Sequence, residues 1–461
     1  MKLFNTLSRK IEDFIPLEDQ KVGIYACGPT VYDYTHIGHI KKYVGDDILK
    51  RVLELDGYEV KHVMNITDVG HLTSDADEGD DKLEVGARQR DMSVWELVKY
   101  FEDYFFKSMD EVDIQRPNIV ARATDHVNEQ IKLIHKLIEK GFTYQTEQAI
   151  YFDISKFPNY TKLSGQKIDE KVVGARETVV TDQNKKHPAD FALWLFTVGH
   201  FKDHVMRWST PWGEGFPGWH IECSAMSMEY LGSTIDIHTG ATEHIPVHHT
   251  NEIAQSEAAT GQQFVRFWVH HGLLMVDGKK MSKSLKNFYT LDDVKAKGLD
   301  PLALRYLVLT AHYRDQLNFT WESLTSAQNA LNNLRSEVRD WSFDSAQDKD
   351  GGYYKRFLEA LNNDLNTPQA LAIMWEMVKS DEPSAKKAAT LLQMDKVLGL
   401  KLEDYIGKPL EIPQEVQDLV NQREEVRKQG DFKKSDELRH EIKKSGYEVE
   451  DTSTGPKIKI S

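Results

Sequence analysis

Two stretches of this chain carry residue types that handle phosphate, and two isolated cysteines carry the type that handles metal. His36-Ile-Gly-His39 sets two imidazoles three residues apart around a glycine. If that tetrapeptide opens a helix, the free backbone N–H groups and positive dipole end favour an anion such as a phosphate, and Gly38 lets it approach the backbone closely. His36 and His39 can then donate to negative charge developing on phosphorus, which is electrostatic stabilisation rather than covalent catalysis. Far downstream, Lys280-Met-Ser-Lys283-Ser284 offers two mobile point charges suited to a triphosphate and its departing pyrophosphate. Singly, a histidine pair at a helix start or a lysine-serine loop is ordinary structure; both on one chain, in this order, point to nucleotide chemistry. Cys27 and Cys223 are the only two cysteines. A disulfide, a buried thiol pair and half of a metal site all remain open for them.

The elements around these residues must position them. Val22 to Cys27 reads as a short apolar strand, Ile40 to Asp56 as a helix with Val44, Ile48, Val52 and Leu55 on one face, and Tyr58 to Thr67 as a second strand. Strand, helix, strand is a βαβ unit, so a parallel sheet should present its ligand crevice at the carboxyl ends of its strands. The acidic run Asp75 to Asp81 reads as a solvated loop. Val94 to Gly141 is helical in pattern, Ala149 to Asp153 looks like a strand, and Ser164 to His187 is polar and irregular. This middle region reads as an insertion, with the sheet resuming around Tyr230 to His238. Beyond Thr290 the pattern is helical to about Leu398, broken by a loop at 341–352. A linker from Gly407 to Pro413 leads to two amphipathic helices and two strand-like runs, Tyr447 to Glu450 and Lys457 to Ile460.

A chain of 461 residues exceeds one ordinary domain. Its net charge of -15 excludes a generally basic surface, though not a local basic patch. The first ten residues hold no signal-peptide-like apolar run, and nothing approaches the ~18 apolar residues of a membrane span. A soluble cytoplasmic protein with no membrane partner is expected.

The two phosphate motifs together resemble those of class I aminoacyl-tRNA synthetases, and the residues around them resemble the cysteinyl-tRNA synthetase family. The likeness runs through Cys27-Gly-Pro-Thr-Val-Tyr-Asp, Asn65-Ile-Thr-Asp68, Ala121-Arg-Ala-Thr-Asp-His126, Asp190-Phe-Ala-Leu-Trp194, Gly218-Trp-His-Ile-Glu-Cys-Ser-Ala-Met226, Asn251-Glu-Ile-Ala-Gln255, Ala311-His-Tyr-Arg314 and Asp364-Leu-Asn-Thr-Pro368. It implies an α/β protein with a Rossmann-like catalytic core, a connective insertion, an α-helical bundle and a small C-terminal α+β module. The expected boundaries are core 1–115 and 196–290, insertion 116–195, stem-contact region 291–320, bundle 321–406 and anticodon-binding module 412–461.

What the resemblance implies for function is ATP-dependent activation of L-cysteine and its transfer to the 3′ end of tRNA(Cys), by a monomer. ATP would arrive with Mg²⁺, and His36, Gly38, His39, Lys280 and Lys283 would bind it. The family's zinc ligands carry over to Cys27, Cys223, His248 and Glu252, one ion per chain. Residues four apart share a helix face, which suits His248 and Glu252; His249 is the competing ligand. Zinc also answers a selection problem. Serine differs from cysteine by one atom, and a steric pocket separates such near-isosteres by only about 1–3 kcal/mol. Zinc binds sulfur as thiolate while a hydroxyl stays protonated, so no editing domain is needed. Trp219, with His220 beside it, would wall the amino-acid pocket, although a packed core tryptophan reads equally well. Thr30 and Thr67 would reach polar substrate atoms.

Several residues depart from the family pattern. Phe216 stands in place of arginine, Leu195 in place of lysine and Ile458 in place of tryptophan, and Thr239 to Thr250 varies a glycine-rich stretch around Glu243. Two rival readings share most of the motifs: a ligase passing activated cysteine to an amino sugar, and a non-catalytic tRNA-binding paralogue. The tail from Val416, which interleaves basic and acidic residues like an anticodon-binding module, speaks against the first. The intact phosphate-handling set speaks against the second. A methionine-activating relative is excluded by Cys27 and Cys223, because a thioether needs no thiolate-binding metal.

Overall fold

A parallel sheet is covered on both faces and so buries most of its strand residues; five strands, four of them largely buried, build the centre of this protein. The computed structural model describes residues 1–74, 78–166, 182–282, 285–342, 351–452 and 455–460. The chain divides into two compact units, one formed by Met1–Pro301, Thr310–Phe319 and Glu359–Pro368, the other by Leu302–Leu309, Thr320–Leu358 and Gln369–Ser461.

In the first unit, β1 (Lys21–Ala26), β2 (Glu59–Ile66), β3 (Ile119–Arg122), β4 (Ile235–Ala241) and β5 (Val265–His271) form one parallel sheet in the order β5-β4-β1-β2-β3. Helix α1 (Ile37–Leu55) crosses from β1 to β2 and is buried along most of its length. The chain winds one way from β1 to β2 and β3, then returns to the other side of β1 with β4. The strand order therefore reverses beside β1, and a crevice opens at the carboxyl ends there.

Two long helices, α2 (Val94–Glu111) and α3 (Val127–Glu139), fill most of the stretch expected to be helical. Between them lies β3, a four-residue edge strand of the parallel sheet rather than part of the insertion expected from 116. A second, antiparallel sheet joins Thr143–Gln145, Ala149–Phe152, Phe191–Phe196, Gly213–Pro217 and Trp208–Thr210. Its pairing runs past the boundary expected at 195. Phe152, Phe191, Leu193 and Trp194 form its core with Leu133, Ile134 and Leu137 of α3. In this sheet Leu195 and Phe216, both family departures, are directly opposite each other and buried.

Helix α4 (Trp219–Leu231) follows the last of these strands. It starts against the strand at Phe191–Phe196, because a Cβ on Gly218 would fall 2.1 Å from the Ala192 carbonyl oxygen. A π-helical turn, Ile245–His249, then leads into α5 (Thr250–Thr260). The acidic run is not wholly a loop: Glu78–Asp81 pairs with Leu72–Ser74, and Asp81 caps the helix Lys82–Arg90 by accepting from Leu83 N at 2.7 Å. Positions 75–77 lie outside the described residues, as do 167–181 of the stretch expected to be irregular and 343–350 of the expected loop.

The second unit is mostly helical, including Trp321–Arg339, Ser384–Leu398, Gln414–Lys428 and Phe432–Lys444. Arg305 is fully buried in it and donates from Nε to the Leu398 carbonyl at 2.6 Å. A hairpin of Tyr447–Thr452 and Gly455–Ile460 closes the tail, where Val416, Val420, Ile442 and Val449 make a small core with Ile458 packed against it. The departure at Ile458 therefore serves that core. Among the described residues no helix is long and apolar enough to cross a membrane.

Candidate functional site

The carboxyl ends of β1, β2 and β4, with the first turns of α1 and α4, surround a cavity of about 390 Å³. Cys27, Thr30, His36, Gly38 and His39 line it from the segment after β1. Thr67 comes from the end of β2, Trp219 and Cys223 from α4, His248 from the π turn and Lys280 from the downstream loop. Glu252 lies behind this lining and joins Cys27, Cys223 and His248 in a cluster whose donor atoms are all within 4.8 Å of one another. Lys283 lies outside the described residues.

The four clustered donors are buried and converge as ligands do. His248 Nε2 lies 2.9 Å from Glu252 Oε1, yet that oxygen accepts no hydrogen bond of ordinary geometry. Two groups aimed at a shared third centre, rather than at each other, produce this pattern. Outer contacts set the donors' directions: His220 Nδ1 meets His248 Nδ1 at 2.9 Å, leaving Nε2 for the cluster, and His238 Nε2 meets Glu252 Oε2 at 2.9 Å. Charge calls for a cation as well. Burial, and then Cys27, push the Cys223 thiol well above its ordinary pKa. Burial alone would lower His248, but Glu252 and then Cys223 outweigh it and hold the imidazolium at about 10. Burial would likewise raise Glu252, but His238 and His248 hold its carboxyl far below the usual range. Two sulfurs, an imidazole and a carboxylate fit a borderline-soft divalent ion that answers the same charge demand.

His249 belongs to a second compact donor set with Cys27, His238 and Glu252. Its Nε2 is 3.2 Å from Cys27 Sγ, and its Nδ1 is 2.7 Å from His270 Nε2. Cys223 and His248 face the cavity, whereas His238 and His249 do not. The first set presents Cys27, Cys223 and His248 to the cavity, and the second presents Cys27 alone.

At the phosphate end, His36 caps α1. Its Nδ1 accepts from Gly38 N at 3.1 Å and His39 N at 3.3 Å, so the ring proton sits on Nε2. The ring stacks on His39 at 3.5 Å between centroids. Burial pushes His36 well below its ordinary pKa and His39 to about 4, so both donate as neutral imidazoles. Gly38 has no room for a side chain, since a Cβ would stand 3.0 Å from the His36 ring and 3.4 Å from Met281 Cε. The histidine motif is tied to the segment that follows the lysine motif: Ile37 N donates to Tyr289 O at 2.9 Å, and His36 bridges Thr290. Lys280 pairs with Glu243, which gives that residue of the variant stretch a contact within the cavity wall.

Three cavity residues escape a reading of the sequence: Lys42, His71 and Lys82. Lys42 is one turn into α1 and donates to the Cys27 carbonyl at 2.6 Å while pairing with Asp46 at 2.7 Å. The usable signal for His71 was its position just past β2, at the carboxyl end of a parallel strand.

Against this geometry stand the comparisons with known proteins. Residues 13–329 match the family model described as the tRNA synthetases class I (C) catalytic domain, 356–403 the DALR domain, and 411–456 the cysteinyl-tRNA ligase anticodon binding domain. The chain belongs to the cysteine–tRNA ligase family. Cysteine–tRNA ligase 1 of Burkholderia lata is 44% identical over 459 residues, spanning 99% of this chain and 96% of that protein. The cysteine–tRNA ligase of Treponema denticola is 42% identical over 483 residues, spanning 98% of each. Among solved structures, Mycobacterium tuberculosis methionyl-tRNA synthetase in complex with methionyl-adenylate superposes with a TM-score of 0.55 at 16% identity, covering 82% of this chain and 90% of that one; this is a likeness of fold. Leu195 and Phe216, two of the departures expected from the sequence, face one another in the antiparallel sheet and bury two apolar side chains together. Phe216 also stacks on the His204 ring at 3.8 Å.

Proposed function

We propose that this chain is a cysteine–tRNA ligase, which activates L-cysteine with ATP and transfers it to the 3′ end of tRNA(Cys). The observation that carries this reading is the sharing of one cavity by the thiol-compatible donor cluster and the two phosphate motifs. The cysteine carboxylate attacks the α-phosphorus of Mg²⁺-bound ATP, the bond to the bridging oxygen breaks and pyrophosphate leaves. His36 and His39 supply N–H donors to the charge that develops, and Lys280 and Lys283 supply cations to the triphosphate and the departing pyrophosphate. The terminal adenosine hydroxyl of the tRNA then takes the cysteinyl group and AMP departs. Zinc held by Cys27, Cys223, His248 and Glu252 would bind the substrate sulfur as thiolate and so separate cysteine from serine. Thr30, Thr67 and Trp219 line the amino-acid end, and the module from 412 to 461 reads the anticodon.

Pyrophosphate exchange with cysteine, serine and methionine tests the reading. Exchange with cysteine alone is expected; equal exchange with serine, or none with cysteine, overturns it. Charging of tRNA, but not of an amino sugar, separates this reading from its rival.

A further inference from the structure

His71 leaves the carboxyl end of β2 and is held from both sides. Its carbonyl accepts from Lys82 N at 2.9 Å. Its buried ring lies flat on the Trp219 indole, with 4.1 Å between centroids and 13° between planes. His248 stacks on the same indole at 4.3 Å and 30°. Two rings this close to one indole centre can only occupy opposite faces, so Trp219 is sandwiched between His71 and a candidate metal ligand.

The ring nitrogens of His71 are fully engaged. Nε2 is 2.6 Å from Lys82 Nζ and Nδ1 is 2.5 Å from Thr30 Oγ1. An ammonium donates and cannot accept, so Nε2 is the acceptor and the ring proton sits on Nδ1. Burial and then the charge of Lys82 keep the ring neutral, in agreement with that tautomer. Nδ1–H therefore donates to Thr30 Oγ1, and the hydroxyl hydrogen of Thr30 must point elsewhere. Thr30, Lys82 and Trp219 all line the cavity.

We propose that His71 is a positioning residue of the amino-acid pocket: it fixes the Thr30 hydroxyl as a donor to the substrate carboxylate, and it holds Trp219 against His248 as the wall that limits side-chain size. The Thr30 hydrogen, turned away from His71, needs an acceptor; a carboxylate oxygen supplies one and an ammonium does not, which favours the carboxylate as the substrate group it meets. This inference rests on the cysteine-activating reading above.

Three substitutions separate the two duties. His71→Phe keeps a ring on Trp219 and removes the relay; Thr30→Val removes the relay's last member alone. Both are expected to raise the cysteine KM in pyrophosphate exchange roughly 10- to 100-fold, the range for a lost hydrogen bond to a charged group, with the ATP KM unchanged. Inhibition by 3-mercaptopropionate, which keeps the carboxylate and lacks the amine, should weaken by the same factor. Inhibition by cysteamine, which keeps the amine and lacks the carboxylate, should not change. His71→Ala should further let homocysteine support exchange better, relative to cysteine, than His71→Phe does. Zinc content of all three variants should match the wild type. An unchanged cysteine KM, an altered ATP KM, or equal weakening of both analogues overturns the relay, and Thr30→Val decides this even if His71→Phe fails to fold. Equal homocysteine discrimination in His71→Ala and His71→Phe overturns the wall. A wild-type chain without cysteine-dependent exchange would instead sink the functional reading beneath it.

Discussion

One ring carries two duties at His36, and they can be pulled apart. Nδ1 accepts from the Gly38 and His39 amides at the start of α1, while Nε2–H is left for the nucleotide. The backbone at this position is extended, φ -100 and ψ 165, as an N-cap requires. Asparagine is among the best caps, and its carboxamide oxygen can replace Nδ1, so His36→Asn should keep the cap and lose only the Nε2 donor. His36→Ala loses both. A lost cap costs about 1 kcal/mol, which in a chain of this size shifts the unfolding midpoint by about 2–4 °C or less. Loss of one donor to a developing oxyanion costs roughly 100- to 1000-fold in kcat, or about 2.7–4 kcal/mol. Both variants should therefore slow cysteine-dependent pyrophosphate exchange by that factor, with kcat and kcat/KM falling together, because the contact forms in the transition state. Thermal unfolding should leave His36→Asn close to wild type and His36→Ala below it. Exchange at near wild-type rate in His36→Asn would refute the role of Nε2, and equal destabilisation of the two variants would refute the capping assignment.

Other consequences are open to the same kind of check. Cys223→Ser should lose its zinc on metal analysis of the purified protein, and full retention would remove Cys223 from the site. His62, buried in the core, is pushed to about 4 chiefly by that burial. Between pH 6.5 and 4 the unfolded chain binds a proton there that the folded chain refuses, so stability should fall with falling pH by up to about 1.4 kcal/mol per unit; a midpoint that stays flat from 6.5 to 4 would contradict this. Phe216→Arg would set a guanidinium opposite Leu195 at a position 0% exposed, and should destabilise by about 3–5 kcal/mol, as an uncompensated buried charge does; an unshifted unfolding midpoint would show that the position is not closed. Removing 416–461 should weaken tRNA charging and spare pyrophosphate exchange, and unchanged charging would count against the tail as the anticodon reader.

The first βαβ unit was legible because its signals are local: an apolar run before Cys27, a helical stripe from Ile40 to Leu55, then a second apolar run. The tail was legible for the same reason. Strand β3 was not, since four residues between two amphipathic helices, three half-buried and Ala121 buried, carry no period of their own and become a strand only by pairing with β2. That the sheet continues past the edge expected at 195 was not legible, because Gly213–Pro217 acquires its meaning from a register with Phe191–Phe196 that no local pattern encodes. Residue types at the site were readable and geometry was not. The spacing of His248 and Glu252 suggested one helix face; in fact a π turn carries the first and α5 the second. The position of His71 just past β2 marked it only weakly, because a lone histidine after a strand gains its meaning from an indole that arrives far later in the chain.

Trp219 and Cys223 stand four residues apart at the start of α4, on one side of the helix. On the proposed reading, a wall that limits side-chain size and a metal ligand that tests side-chain chemistry are thus mounted on the same rigid rod. That rod is seated where Gly218 presses against Ala192, in a sheet that holds no predicted catalytic residue. On that reading, the fidelity of the pocket would be set partly by a contact outside the pocket. A substitution that thickens this seat would leave every pocket residue intact and still shift both tests at once, so a lineage could drift in accuracy without any change at its active site.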